Sequence, residues 1–202
     1  MAEITKIEVQ KKDKTRSNIF LDGEFFCGLQ NEVVIGKGLK VGLEIDEDKL
    51  KEIVLESEKQ VAFNKALSLL NTRFKTKHEI KTYLKEKGFD EFVIDETIEK
   101  LIEYKYINDE HYAEAYINSN KVKKSKKVIE LELLKKGVSQ KIINETLANL
   151  ETESELILTL YTKYMKNKEA TFENKQKAIK YLMGKGFSYD DIKKAVNYSD
   201  YE

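Results

Sequence analysis

Three related segments decide the fold of this chain: LKEKGF at residues 84–89, LLKKGV at residues 133–138 and LMGKGF at residues 182–187. Each contains a Lys-Gly pair followed by an apolar residue, and successive pairs are 49 residues apart. The apolar positions around these segments also coincide at that offset. Self-similarity at a fixed period of this length is typical of tandem-repeat proteins, whose units bury their apolar faces against one another.

Each repeat is predicted to contain three helices, because helix start and stop signals recur with the same period. The second helix follows a capping residue whose side chain accepts hydrogen bonds from the unpaired N–H groups of a helix start. That residue is placed at Thr76, Ser125 and Asn174. The helix ends at the aligned glycine, which adopts a left-handed conformation at little cost. Caps for the third helix are placed at Asp90, Ser139 and Ser188.

The first 45 residues have the pattern of β-structure. Residues 4–10 alternate apolar and polar side chains, which predicts a half-buried strand. Asp22-Gly23 separates two apolar runs, and an Asp-Gly pair in that position predicts a hairpin with a type I′ turn. The glycine-rich passage around residues 33–35 is predicted to be a loop.

The chain is therefore predicted to be mainly α, with three tandem three-helix repeats of about 49 residues behind a small N-terminal β-hairpin-containing domain. The repeats are expected to form an elongated curved array. We place the β-rich head at residues 1–45, a linker helix with the first repeat at 46–107, the second repeat at 108–151 and the third at 152–202. Such arrays bind extended partners more often than they enclose catalytic pockets.

Composition excludes several classes of function. The chain balances 36 basic residues with 36 acidic ones, which disfavours a globally basic nucleic-acid binder but leaves a local basic patch open. Its single cysteine, Cys27, cannot form an intrachain disulfide, and no apolar run approaches the roughly 18 residues of a membrane span. We expect a cytoplasmic protein that acts as a monomer.

No catalytic motif is apparent, so we expect no enzymatic activity, no cofactor and no bound metal. The two histidines, His78 and His111, are too few and too far apart to suggest a metal site. His111 aligns with apolar positions of the other repeats and is expected to be partly buried. His78 is expected to be solvated near a helix start.

Lysines supply the best functional lead. Residues 121–136 contain seven lysines and two glutamates, a local net charge of +5. Lys77, Lys126 and Lys175 occupy one repeat position, just after the predicted cap of the second helix. A cation there opposes the helix macrodipole at a cost of up to about 1 kcal/mol, so stability alone would favour an acid. The lysines are either a solvated face or a cationic row that binds phosphate or an acidic surface.

Three stretches carry a family resemblance: ALSLLNTRFKTKHEIKTYLKEKGF at residues 66–89, YINDEHYAEAY at 106–116 and IELELLKKGV at 129–138. Together they resemble the repeat signatures of the RecX family, and the β-rich head resembles the N-terminal extension of some members. The resemblance implies a non-enzymatic regulator that lies along the filament of the RecA recombinase on DNA, restrains its ATPase and strand exchange, and promotes disassembly or blocks extension. This role belongs to DNA repair, recombination and the SOS response.

The resemblance and the charge pattern together predict the contact residues. The family is usually richer in arginine around the second repeat, where lysines stand here. The candidate filament- or DNA-binding residues are Arg73, Lys77, Lys123, Lys124, Lys126, Lys127 and Lys175.

Two other classes of function remain open at this point. A helical-repeat protein that binds DNA directly would show a steep salt dependence on naked DNA. For the chain as a filament regulator, single-stranded DNA is expected to be at most a weak partner. A general protein-interaction scaffold would bind in a way that is insensitive to salt and to DNA.

Overall fold

The computed structural model describes residues 1–148, 150 and 153–197, and these fall into two units. The first unit comprises residues 1–73 and 80–106, and the second comprises residues 74–79 and those from 107 onward. Within the described residues, no helix combines the length and apolar character needed to cross a membrane.

The head of the first unit is a four-stranded antiparallel sheet. Strands β1 (Ala2–Val9), β2 (Arg16–Leu21), β3 (Glu24–Gln30) and β4 (Glu44–Ile45) lie in the order β3-β2-β1-β4. Asp22 and Gly23 both have positive φ, at 47° and 91°, so the predicted type I′ turn between β2 and β3 is confirmed.

Two features of the head differ from the sequence prediction. The passage expected to be a loop contains a short helix, α1 (Asn31–Gly36), which buries Val34. Strand β4 pairs with the beginning of β1 and closes the sheet on that side, although its two residues are too few to show an alternating pattern.

Helix α2 (Glu47–Leu70) joins the sheet to the first repeat as one continuous element. Its N-cap is Asp46, whose side chain accepts hydrogen bonds from the N–H groups of Asp48 and Lys49. Leu50 and Ile53 belong to the same buried cluster as Ile4 and Ile19 of the sheet. The head therefore shares its core with the first turns of α2.

The first repeat continues with α3 (Lys77–Glu86) and α4 (Glu91–Glu103), and α4 packs against α2. The second repeat consists of α5 (Asp109–Asn120), α6 (Lys126–Lys135) and α7 (Gln140–Ala148). The third consists of α8 (Glu153–Met165), α9 (Phe172–Gly184) and α10 (Tyr189–Val196). Three helices per repeat, as predicted, are thus present in the described residues.

Among the described residues of the second unit, the second and third repeats each have an apolar cluster. The second repeat buries Ile129, Leu133 and Ile143 among others. The third repeat buries Leu182 and Ile192 in the same way. Two sets of positions that coincide at the 49-residue offset are therefore buried in all three repeats: Leu84, Leu133 and Leu182, and Ile94, Ile143 and Ile192.

Most of the predicted caps are confirmed. Ser125 accepts a hydrogen bond from Val128 N–H, Asp90 from Phe92 N–H and Ser188 from Asp191 N–H. The cap predicted at Asn174 is wrong, because the hydroxyl of Thr171 caps α9 and accepts a hydrogen bond from the N–H of Asn174. Helix α9 therefore begins one turn earlier than the repeat period indicates.

Candidate binding surface

The connection between α5 and α6 is the most strongly cationic segment of the second repeat. Residues 121–127 include five lysines and no acidic residue. Lys121 is the C-cap of α5, where a cation is favourable beside the carbonyl end of the helix dipole. Lys126 and Lys127 form the beginning of α6. The predicted lysine cluster thus spans the end of α5, a short connection and the first turn of α6.

Two of these lysines are engaged within the protein. The ammonium of Lys124 lies 2.7 and 2.8 Å from the two carboxylate oxygens of Glu132, which also accepts a hydrogen bond from the Tyr116 hydroxyl at 2.8 Å. Burial and the neighbouring carboxylate raise the pKa of Tyr116 to about 12. The ammonium of Lys126 donates to the carbonyl oxygen of Leu150 at 2.8 Å. Both ammonium groups are therefore oriented toward their own repeat.

The other three lysines of this segment remain exposed. Lys121, Lys123 and Lys127 take part in none of the ion pairs that join described residues. We call these three residues the cationic edge. Lys121 was not among the residues singled out from the sequence, although it lies in the same lysine run. Lys123 and Lys127 were predicted, and the structure leaves both accessible to a partner.

The predicted binding residues outside residues 121–127 are Arg73, Lys77 and Lys175, and they differ in exposure and in their place in the helices. Arg73 and Lys77 are exposed. Lys175 is half-buried and is the fourth residue of α9, whereas Lys77 and Lys126 are the first residues of α3 and α6. The prediction that all three lysines directly follow a cap is wrong for Lys175, because α9 is one turn longer at its start.

The N-termini of α3 and α6 are occupied by carboxylates from the following repeat. The N–H of Lys77 donates to Oδ1 of Asp109 at 2.9 Å, and the N–H of Lys126 donates to Oε1 of Glu153. Asp109 and Glu153 are the first residues of α5 and α8. These carboxylates offset the unfavourable first-turn lysines. The N–H groups of Lys77 and Lys126 at these helix starts are therefore already bonded to carboxylates of this chain.

The same two helix starts contact the Lys-Gly turn of the following repeat. Thr76 Oγ1 donates to the carbonyl oxygen of Lys136 at 2.6 Å, and Ser125 N–H donates to that of Lys185 at 3.0 Å. A Cβ atom on the next glycine would collide with His78 in the first case and with Val128 in the second. We call this arrangement the inter-repeat joint. The recurring cap residue and Lys-Gly pair were visible in the sequence, but their contact was not.

Glu79 contacts both sides of the joint between Thr76 and the Lys136-Gly137 turn. Its carboxylate accepts a hydrogen bond from Thr76 N–H at 3.2 Å, and its own N–H donates to the Thr76 hydroxyl at 3.1 Å, so the two residues form a capping box. The same carboxylate lies 3.3 Å from the Lys136 ammonium. Burial opposes ionisation, but the Thr76 N–H and Lys136 outweigh it and lower the pKa of Glu79 below its usual 4.5.

We expect Glu79→Gln to reduce stability most at neutral pH. A lowered pKa in the folded state contributes stability that is fully present above about pH 4.5 and is lost as the pH falls through the folded-state pKa. The difference in melting temperature between wild type and E79Q should therefore shrink between pH 6 and pH 3. A difference that stays constant over this range would contradict the role of the Glu79 charge. Glu130→Gln is a control, because Glu130 accepts a hydrogen bond from Gln140 and forms none of the described ion pairs.

The side chains that could act as metal ligands or nucleophiles do not cluster in the part of the chain that the structure describes. His78 is exposed, as expected, but His111 is also exposed, so the prediction of a partly buried histidine is wrong. Position 111 tolerates a polar group because it lies on the outer face of α5. Burial raises the pKa of the Cys27 thiol to about 11. Among the described residues, no group of three or more His, Cys, Asp or Glu side chains is placed to hold a metal ion.

Family models match the head and each repeat in turn. Residues 2–46 match the regulatory protein RecX N-terminal domain. Residues 62–101, 108–147 and 151–196 match the first, second and third three-helix domains of RecX. The matched boundaries follow the order of elements in the structure.

Two relatives match this chain over more than nine tenths of its length. A regulatory protein RecX of Clostridium acetobutylicum is 36% identical, covering 94% of this chain and 92% of its own length. One from Bacillus thuringiensis is 41% identical, over 95% of this chain and 75% of its own.

Two crystal structures are similar in fold. One of regulatory protein RecX aligns with a TM-score of 0.66 at 28% identity, covering 98% of this chain and 100% of that one. The structure of RecX from Lactobacillus salivarius aligns with a TM-score of 0.60 at 35% identity, covering 69% of this chain and 95% of that one. With the matched sequence, these similarities show that this chain belongs to the RecX family of regulatory proteins.

Proposed function

We propose that this chain binds the filament that a RecA-type recombinase forms on DNA, and that it inhibits the ATPase and strand exchange of the filament. It acts as a monomer in the cytoplasm, without catalytic activity and without a cofactor. Membership of the RecX family supports the regulatory role. The observation that supports filament binding is the cationic edge, which presents Lys121, Lys123 and Lys127 to a partner.

The cationic edge suits a polyanionic partner for electrostatic reasons. Each exposed ammonium is a compact point charge with three donors, which matches phosphate oxygens or surface carboxylates without demanding one geometry. Three such charges on one short loop raise the rate of encounter with a polyanion and make binding sensitive to salt. The other two predicted lysines of this segment, Lys124 and Lys126, hold it in place through Glu132 and the Leu150 carbonyl.

Reversing the charge of the three lysines of the cationic edge tests this proposal. The variant K121E/K123E/K127E is expected to bind the filament at least about tenfold more weakly, because attraction becomes repulsion at three contacts. Its inhibition of recombinase ATPase should fall in parallel, and the slope of log affinity against log salt should become shallower.

A matched control separates this local effect from the change in net charge. Lys163, Lys166 and Lys180 are exposed and lie in the third repeat. K163E/K166E/K180E carries the same net charge as the test variant and should inhibit as wild type does. If K121E/K123E/K127E and K163E/K166E/K180E inhibited the recombinase ATPase equally, the cationic edge would have no specific role in filament binding.

Direct binding of DNA is the second candidate, since exposed lysines also attract bare phosphates. It predicts that wild-type protein binds naked single-stranded DNA as tightly as it binds the filament. Filament binding predicts a clear preference for DNA that is coated with recombinase. Titration of the same labelled DNA with and without recombinase distinguishes the two.

A further inference from the structure

The outward face of α6 carries an apolar row that the fold does not use. Lys127, Leu131 and Leu134 follow one another at spacings of four and three residues, which places them on one side of the helix. Leu131 is 50% exposed and Leu134 is 39% exposed. The opposite side of α6 packs Ile129 and Leu133 into the core of the repeat. The row therefore extends from the cationic edge along a helix face that is free of core contacts.

The other repeats show that this face does not require apolar residues. At the 49-residue offset, Leu131 and Leu134 correspond to Thr82 and Lys85 in α3, which are both exposed. In α9 they correspond to Lys180 and Met183. The position of Leu131 is thus polar or charged in both other repeats, and that of Leu134 is charged in the first and apolar in the third. Of the three repeats, the second is the one that carries apolar residues at both positions.

Charge around the row defines the partner that would fit it. Lys127 precedes the leucines and Lys135 follows them, and both lysines are exposed. Of the two acidic residues of α6, Glu132 is paired with Lys124, and Glu130 accepts a hydrogen bond from Gln140 of α7 at 2.7 Å. Leucine side chains gain nothing from phosphate but bury favourably against apolar protein surface. The face is thus apolar along its middle, with a cation near each end.

We propose that Leu131 and Leu134 dock on a protein surface of the filament, an apolar patch flanked by carboxylates on the recombinase subunits. This inference rests on the proposed function and specifies the partner of that site. The cationic edge raises the rate of association and makes binding depend on salt. Leu131 and Leu134 make the chain prefer a protein surface over bare DNA. Half-exposed apolar side chains that become buried on binding stabilise the complex in proportion to the apolar area removed from water.

The test replaces the leucines with residues that a helix surface tolerates. L131T/L134Q introduces at position 131 the residue that α3 carries at the equivalent place. The control L158T/M183Q alters two residues of the third repeat that are each 49% exposed. Circular dichroism melting curves confirm that all variants are folded. Binding is measured on labelled single-stranded DNA, bare or coated with RecA-type recombinase and a nonhydrolysable ATP analogue.

The expected result is a loss confined to the protein-coated DNA. L131T/L134Q should bind the filament about tenfold or more weakly, with unchanged affinity for bare DNA and an unchanged salt slope, and the control should behave as wild type. Wild-type filament affinity in L131T/L134Q would overturn the inference, while leaving the proposed function intact if K121E/K123E/K127E still loses binding. A parallel loss on bare DNA, or an equal loss in the control, would also overturn it. Absence of filament binding by wild type would overturn both proposals.

Discussion

Alanine at Gly137 or Gly186 is expected to destabilise the protein by about 3 kcal/mol or more, which is about twice the effect of alanine at Gly88. All three glycines end the second helix of a repeat with positive φ, at 76°, 91° and 84° respectively. Forcing alanine into that conformation costs about 1 to 2 kcal/mol at any of them. The larger effect at two positions comes from the inter-repeat joint.

The joint leaves no room for a side chain. A Cβ atom on Gly137 would collide with Cβ and Cγ of His78, and one on Gly186 would collide with Val128 and with Ser125 Oγ. The Cβ of His78 is bonded directly to the backbone and cannot rotate away, so at Gly137 the backbone must shift. At Gly186 the Val128 and Ser125 side chains must leave their positions, and the Ser125 hydroxyl is the cap of α6. At Gly88, by contrast, an added Cβ meets nothing within 4 Å.

Thermal unfolding followed by circular dichroism checks the order of the three variants. Gly137→Ala and Gly186→Ala should lower the midpoint by about 10 °C, and Gly88→Ala by roughly half as much. Gly184→Ala is a control in the same unit, since Gly184 lies at the end of α9 with open space around it and tolerates a side chain. Equal effects at all three positions would mean that helix termination alone, and not the joint, explains the glycines.

The repeat architecture was predictable because its signals are local and recur. Each Lys-Gly pair ends a helix through backbone conformation, and Ser125, Asp90 and Ser188 begin helices through bonds to residues two or three positions away. Asp22-Gly23 specifies its hairpin in the same way. Interactions this short can be inferred from sequence alone.

Errors arose where the repeat period was extended beyond these local signals. The period is anchored at the C-terminal glycine, so it cannot detect that α9 has 13 residues where α3 and α6 have 10. Asn174 and Thr171 are both able to cap a helix, and the offset selected the wrong one. For the same reason, the prediction that Lys175 directly follows the cap of α9 is wrong.

The candidate site was only half predictable, because exposure depends on partners that are distant in sequence. The lysine run was evident, but nothing in it separates Lys123 and Lys127 from Lys126, whose ammonium bonds to a carbonyl 24 residues away. In the same way, Glu153 reaches the start of α6 from 27 residues away. Tertiary structure therefore decides which charges face outward.

Replacement of Thr76 by valine is expected to have an effect as large as that of Gly137→Ala. Thr76 is fully buried, and its hydroxyl both accepts a hydrogen bond from Glu79 N–H at 3.1 Å and donates one to the Lys136 carbonyl at 2.6 Å. Valine has nearly the same shape but no hydroxyl. It removes a helix cap, worth about 1 to 2 kcal/mol, and takes its hydroxyl partner from the part-buried Lys136 carbonyl at a further cost of about 1 to 2 kcal/mol.

Serine at the same position separates hydrogen bonding from packing. Thr76→Ser retains the hydroxyl and loses one methyl group, so it should cost only about 1 kcal/mol, while Thr76→Val should cost about 3 kcal/mol. Urea unfolding of the two variants beside wild type measures the difference. If valine proved as stable as serine, the hydroxyl would have no role in the joint. At the second joint the contact is made by the backbone N–H of Ser125, which donates to the Lys185 carbonyl, so of the two joints it is the one at Thr76 whose stability should depend on a hydroxyl.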